Sequence, residues 1–285
     1  MDTILKVTNV GKSYRDFKLS DMNFEIKKGR IAGLIGENGA GKTTLLSLIL
    51  DQRRPDTGNI HIFGKNIANH GREIKQKIGF YNDECCFHPC FTGKDMDKIL
   101  RSIYKERDSG LYREYLSRLK VPADRKIKDL SKGTKNKLML AASMAYRPSL
   151  LVFDEITSGL DPIIRSSVLG MIKKYAEASQ ATVFFSTHIT TDLENFADEI
   201  LFIHGGKLVF QKEIKDLREN YVIYKCHRDK YRGLSKKGLE RVLFSGENAL
   251  ILTSKTEVLE EALEVYKIPD MEDMMHMYVE GERCG

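Results

Sequence analysis

Residues 36–44 read GENGAGKTT, and few stretches of nine residues restrict a fold more. They hold Gly-x-x-x-x-Gly-Lys-Thr in full, directly after the apolar run 31–35 (IAGLI) and directly before 43–50 (TTLLSLIL). The first run has strand character, and the second reads as a helix covered on most sides. A strand that turns through glycines into a helix leaves several backbone N–H groups facing one concavity. Gly36, Gly39 and Gly41 permit that turn, and the helix adds its positive N-terminal end at the same spot. Phosphate is what such a concavity takes. Lys42 brings a charge that reaches the β- and γ-phosphates, Thr43 offers a hydroxyl to Mg²⁺, and Thr44 can touch another phosphate oxygen. With Asn38 and Ala40 completing the loop, these residues form the candidate binding set for a nucleoside triphosphate.

A second constellation follows the apolar run 150–153 (LLVF). Asp154 stands at the end of this expected strand, where it can hold one of the waters that Mg²⁺ usually keeps. Glu155 beside it suits a general base, polarising the water that attacks the γ-phosphorus. Two acids at a strand end are often mere surface. After a buried run and alongside a full phosphate loop, they read as chemistry.

The rest of the chain frames these sites. Runs 4–10 and 19–26 alternate as strands do, with the turn-rich stretch 11–18 between them. The segment 91–147 carries helical periodicity, and 182–185 (TVFF) and 200–203 (ILFI) are short apolar runs between helical stretches. Such runs fit a parallel sheet covered on both faces. A hairpin turn at 204–207 leads to strand 208–210. After about residue 211 the character changes: 221–226, 241–245 and 250–253 read as strands, and 257–266 is amphipathic with Val258, Leu259, Ala262, Leu263 and Tyr266 on one helical face. The expected fold is therefore α/β: a P-loop ATPase core with a mostly parallel sheet, an N-terminal antiparallel β-subdomain, a helical subdomain at about 91–147, and a small α+β appendage. The boundaries fall at 1–210 and 211–285.

Composition narrows the setting. A hydrophobic fraction of 41% is ordinary for a chain that buries a core, and no run approaches the roughly 20 apolar residues of a membrane span. The start, MDTILKVTNV, lacks the pattern of a signal peptide. Five cysteines, three of them crowded at 85, 86 and 90, do not form a disulfide framework. These features point to a cytosolic protein with reduced thiols. The net charge of +6 is spread among 40 acids and reads as a solvated surface, not a nucleic-acid stripe.

From residue 3 to about 210 the chain resembles the ATP-binding-cassette ATPases. Leu130-Ser131-Lys132-Gly133-Thr134 is similar to that family's LSGGQ signature, with Lys132 and Thr134 as departures, and it lies between the phosphate loop and Asp154-Glu155 as the family requires. The resemblance implies that Ser131 and Gly133 close over the γ-phosphate held by a partner subunit, so that two subunits sandwich two ATPs. It implies a D-loop at 158–161 (SGLD), with Ser158 and Asp161 coupling the two sites. It makes His188, after the TVFF strand, the switch that senses γ-phosphate, a catalytic group with Glu155 and Lys42. It also places Tyr14 where an aromatic ring stacks on adenine. The family generally has a glutamine where the core passes into the helical subdomain; here residues 78–84 read IGFYNDE and put Asp83 or Glu84 there. A carboxylate can still hold a metal-bound water, although it adds repulsion near ATP. Ile156 stands where a proline commonly follows the catalytic glutamate.

By this resemblance the chain is an ATP-hydrolysing transporter subunit using ATP and Mg²⁺, homo- or heterodimeric, peripheral on the inner face of the cell membrane, and working with separate transmembrane permease subunits. The signature and the ending 269–282 look most like bacterial exporter subunits that move drugs, antimicrobial peptides or lipid-linked compounds. The competing readings are a soluble cassette ATPase on the ribosome or DNA, and a regulatory cassette that only binds ATP. A single phosphate loop, the compact segment between Thr43 and Leu130, and the presence of Glu155, Lys42 and His188 count against them; no nucleic acid is expected. Cys85, Cys86, His88 and Cys90 invite a zinc reading, but no second Cys/His pair stands at metal spacing. Met271, Met274, Met275 and Tyr278 recur at helical spacing as a packing stripe or a dimer contact, and the basic stretch 228–237 reads as solvated surface that the inner leaflet could attract weakly.

Overall fold

The two alternating runs at the N-terminus become β1 (Thr3–Ser13) and β2 (Lys18–Lys27), antiparallel partners that bury Leu5, Val7, Val10, Met22, Phe24 and Ile26. In the computed structural model, which describes residues 2–82, 84–104, 109–236, 238–254 and 263–284, the chain next forms β3 (Ile31–Ile35) and α1 (Lys42–Ile49). A hairpin of β4 (Thr57–Ile62) and β5 (Lys65–Asn66) then joins β1, giving an antiparallel sheet of order β2-β1-β4-β5. After α2 (Ile67–Lys75) and β6 (Ile78–Tyr81) come α3 (Gly93–Ile103), α4 (Ser109–Arg118) and α5 (Lys132–Met144), the helical stretch that the sequence pattern anticipates.

The chain returns through β7 (Leu150–Phe153), α6 (Pro162–Ser179), β8 (Thr182–Thr187), α7 (Thr190–Phe196), β9 (Glu199–His204) and β10 (Lys207–Glu213). The central sheet has the order β10-β9-β3-β8-β7-β6; only β10 runs antiparallel to its neighbour. Its inner strands carry apolar runs, IAGLI in β3, LLVF in β7 and VFF within β8, because both faces are covered. β3 and β7 are buried at every position, as such strands must be. The antiparallel sheet docks on this edge, where the Ser20 N–H donates to the Gly206 carbonyl at 2.9 Å.

β10 continues to Glu213, beyond residue 210, because it pairs with β9 along its full length, out to Glu213 opposite Glu199. α8 (Ile214–Asn220) then leads to β11 (Tyr221–His227), α9 (Arg228–Gly233), β12 (Leu239–Ser245), β13 (Asn248–Ser254), β14 (Glu264–Lys267), α10 (Met271–Val279) and β15 (Glu282–Arg283). These strands make a third sheet of order β14-β11-β13-β12-β15. The helical reading of 257–266 falls partly on 255–262, outside the described residues, and its end is a strand: β14 pairs with β11, Val265 facing Tyr224. Backbone pairing with β11 overrides the local helical pattern, and Tyr266 is half exposed instead of lying on a buried helix face.

The methionine stripe is a packing stripe. Met271, Met274 and Met277 of α10 are buried in the same core as Leu193 and Phe196 of α7, with Met275 and Tyr278 at its margin. In the basic stretch, α9 is anchored by buried Tyr231, over whose ring Lys236 Nζ lies at 3.2 Å. No helix among the described residues is long and apolar enough to cross a membrane.

Candidate nucleotide site

Three neighbouring parallel strands, β3, β8 and β7, end together. Register pairs Ile35 with Thr187 and Phe153 with Phe185. The residues that follow, Gly36, His188 and Asp154-Glu155, therefore emerge side by side at the carboxyl edge of the sheet, where parallel sheets place ligands. Segments more than a hundred residues apart meet because of that register.

The loop from β3 into α1 is shaped by two close approaches. A Cβ at Gly36 would stand 2.3 Å from the Ile203 carbonyl oxygen. Gly41 has φ 108°, and a Cβ there would meet Phe17 Cζ at 2.8 Å and Leu19 Cδ1 at 2.9 Å. Gly41 is also the N-cap of α1, without a side-chain cap hydrogen bond, so the first N–H groups of the helix are not taken by a capping side chain. α1 is held by Leu45, Leu46, Leu48 and Ile49, each at most 2% exposed; burial of each contributes about 1.5–3 kcal/mol. That packing fixes the helix end as a rigid anion site.

The loop borders a cleft of about 730 Å³, within the usual size of a small-molecule site. Asn38, Gly39, Gly41, Lys42, Thr43 and Thr44 line it together with Glu155, Ser158 and His188. Lys42 is 7% exposed, and its ammonium donates to the carbonyls of Gly36 at 2.8 Å and Glu37 at 3.3 Å. The same ammonium lies 3.7 Å from Glu155 Oε1. A cation held by carbonyls at the base of an anion-shaped loop is what a triphosphate requires.

Glu155 is positioned with unusual care. Its backbone sits at φ 53°, a left-handed conformation that a side-chain-bearing residue adopts at some cost. Ser186 Oγ holds it there, accepting from the Glu155 N–H at 3.0 Å while donating to Asp154 Oδ1 at 2.5 Å. Buried Ile156 fixes the next residue, and His188 Nδ1 lies 2.7 Å from Glu155 Oε2. The carboxylate thus spans Lys42 and His188 at the cleft wall. Thr43 lines the cleft, whereas Asp154 stands behind it, hydrogen-bonded to Ser186. Hydroxyl and carboxylate oxygens are the hard donors that Mg²⁺ takes, and the recessed carboxylate fits an ion that keeps its waters.

The other sequence-derived residues lie elsewhere. Ser131 caps α5, its Oγ accepting from the Thr134 N–H at 3.2 Å, and around Gly133 there is open space. Neither lines the cleft of its own chain. Asp161 caps α6 by accepting from the N–H groups of Ile163 and Ile164 at 3.1 and 3.0 Å, while Ser158 reaches the cleft. The Tyr14 hydroxyl accepts from Arg53 at 2.9 Å, and its ring stacks on Phe17 at 6.4 Å. Phe17, not Tyr14, is the aromatic that lines the cleft. Asp83 lies outside the described residues, and Glu84 is exposed and does not line the cleft. Phe17, Glu37 and Ser186 are site residues that sequence reasoning missed. The first is brought in by the β1–β2 turn and the last by strand register, so neither leaves a local signal.

Known proteins resemble this chain in sequence and in fold. The sequence profile described as "ABC transporter" matches residues 19–158. The ABC transporter ATP-binding protein YtrB of Bacillus subtilis is 33% identical over 204 residues, covering 72% of this chain and 70% of that protein. The bacitracin transport ATP-binding protein BcrA of Bacillus licheniformis is 34% identical over 212 residues, 73% of this chain and 69% of its own. A solved ATP-binding subunit of an ABC transporter superposes with a TM-score of 0.68 at 25% identity, covering 82% of this chain and 96% of its own.

Proposed function

The chain belongs to the ABC transporter family as an ATP-binding, ATP-hydrolysing subunit, and from that premise we propose that it powers an exporter through a cleft closed by a second ATPase subunit. The observation that carries this reading is a division within one chain. Glu155 is set between Lys42 and His188 at the cleft, while exposed Ser131 and half-buried Gly133 stand away from it. A signature with no ligand of its own to touch suits the nucleotide of a partner. Both the hydrolytic centre and the lid are then present, but in different subunits.

In this reading the loop N–H groups and Lys42 bind and neutralise the β- and γ-phosphates. Mg²⁺ would be held by Thr43 and, through water, by Asp154; when bound it neutralises charge building on the phosphate oxygens. Glu155 orients and polarises the attacking water, and His188 keeps the carboxylate turned toward the γ-phosphate. Ser158 and Asp161 transmit closure between subunits, and Asp83 or Glu84 takes the position of the family's glutamine. The cassette runs to the end of β10 at Glu213, three residues past the expected boundary, and residues 214–285 form the accessory unit.

The bacitracin transport relative supports an amphiphilic cargo such as a drug, an antimicrobial peptide or a lipid-linked compound. The chain would sit on the inner membrane face, bound to a separate permease. Affinity purification of the tagged chain from native membranes tests this: a multi-span protein should copurify in a fixed ratio. Recovery of ribosomes or DNA instead would overturn the transporter reading while leaving the ATPase intact.

A further inference from the structure

α7 begins two residues after His188, and the C-terminal appendage grips it. The backbone N–H of Met271, at the start of α10, donates to Glu194 Oε1 at 3.0 Å. Thr190 Oγ1 donates to Glu272 Oε1 at 3.2 Å. Arg218 of α8 donates to the Glu194 carbonyl at 2.8 Å. Beneath these polar contacts, Met271 and Met274 share one core with Leu193 and Phe196. From the inner side, Asp192 accepts from Thr157 Oγ1 at 2.6 Å and Arg165 Nε at 2.5 Å. Thr157 stands two residues past Glu155. A helix of only seven residues has little stability of its own, so these contacts set its orientation.

The appendage is itself held firmly on the cassette. The Glu240 carboxylate accepts from the hydroxyls of Tyr221, at 2.8 Å, and Tyr278, and lies 3.6 Å from the Lys212 ammonium of β10. A movement of α10 is therefore a movement of a braced body against α7.

We infer that the appendage is a positioning element for hydrolysis: through Glu194 and Glu272 it fixes α7, and α7 fixes His188 against Glu155. This rests on the reading of His188 and Glu155 given above. The residues that bind phosphate come from the β3–α1 loop, and neither α7 nor α10 lines the cleft. Loosening the grip should therefore slow turnover without weakening nucleotide binding. A merely structural appendage would produce no such split. The grip is thus a control point, since a shift of α10 moves α7 and with it the rate.

The test is steady-state ATP hydrolysis by the full chain with Mg²⁺. Glu194→Ala, alone or with Glu272→Ala, should lower kcat about tenfold with KM for ATP within about twofold. Glu194→Gln keeps an oxygen for the Met271 N–H and should return kcat to near the wild-type value. In a His188→Ala background, Glu194→Ala should add little, because both act through the same imidazole. The inference is overturned if kcat stays at the wild-type value in the alanine variants, if Gln fails to rescue, or if the two losses simply multiply. Wild-type turnover by His188→Ala would instead sink the reading of the site on which the inference rests.

Discussion

Replacing Asp192 by alanine removes a carboxylate that is 3% exposed and serves two elements at once. Thr157, 1% exposed, loses the acceptor for its hydroxyl, and an unsatisfied buried hydroxyl costs about 1–3 kcal/mol. Arg165 loses its carboxylate but keeps Thr191 Oγ1 at 2.9 Å, and its side chain is 22% exposed. Its share is thus about 1–2 kcal/mol, below the 3–5 of a fully buried broken pair. The sum is about 3 kcal/mol, a large part of a typical stability. Thermal unfolding followed by circular dichroism should show the midpoint fall by roughly 6–12 °C. Adding Thr157→Val removes the stranded hydroxyl and should recover about 1 kcal/mol. A fall under about 2 °C, or further loss on adding Val, would refute the picture of Asp192 as a shared buried acceptor.

Other consequences are equally open to measurement. Phe17→Ala should raise the Kd for ATP several-fold, up to about tenfold, and Tyr14→Ala, whose ring only backs Phe17 at 6.4 Å, should raise it less; an unchanged titration for Phe17→Ala would remove the aromatic platform from this end of the cleft. Lys42→Ala and Ser131→Arg should each be inactive alone, and mixing them should restore hydrolysis because one composite site per mixed dimer keeps an intact loop and an intact signature. No recovery on mixing would mean that the chain does not close over a second copy of itself. Burial pushes the Glu199 carboxyl above the usual carboxylate range, against the opposing hydrogen bond from Gln211. A raised native value means the folded state holds the proton more tightly, so this contribution is present at acid pH and lost as pH rises through it. Glu199→Gln should therefore raise the unfolding midpoint near neutral pH, with the gain fading toward about pH 4; no gain at neutral pH would contradict the burial penalty.

What the sequence disclosed follows from range. The phosphate loop, the apolar strands of the central sheet and the alternating strands of β1 and β2 are written in neighbouring residues, so their periodicity and glycine spacing suffice. Asp154 and Glu155 were legible because a buried strand ends on them. Ser186 was not: its bond to Asp154 exists because β7 and β8 lie in register, thirty-two residues apart. Phe17 enters the cleft because the β1–β2 turn packs on Gly41, a contact without a local pattern. The stretch 257–266 shows the reverse error, where local amphipathicity suggested a helix and pairing with β11 made a strand of its end. The grip of α10 on α7 joins residues some eighty positions apart and leaves only a methionine stripe to hint at it.

The central claim is that Glu155 performs the hydrolysis for which the rest of the cleft binds the substrate. Glu155→Gln keeps the side chain's size and its place beside Lys42 and His188 while removing the base. ATP binding and turnover should be measured on the same preparation of this variant. Binding should stay within about twofold of the wild-type chain, hydrolysis should fall by at least about a hundredfold, and the ATP-bound form should accumulate as a dimer. Hydrolysis by the variant at the wild-type rate would contradict the assignment outright.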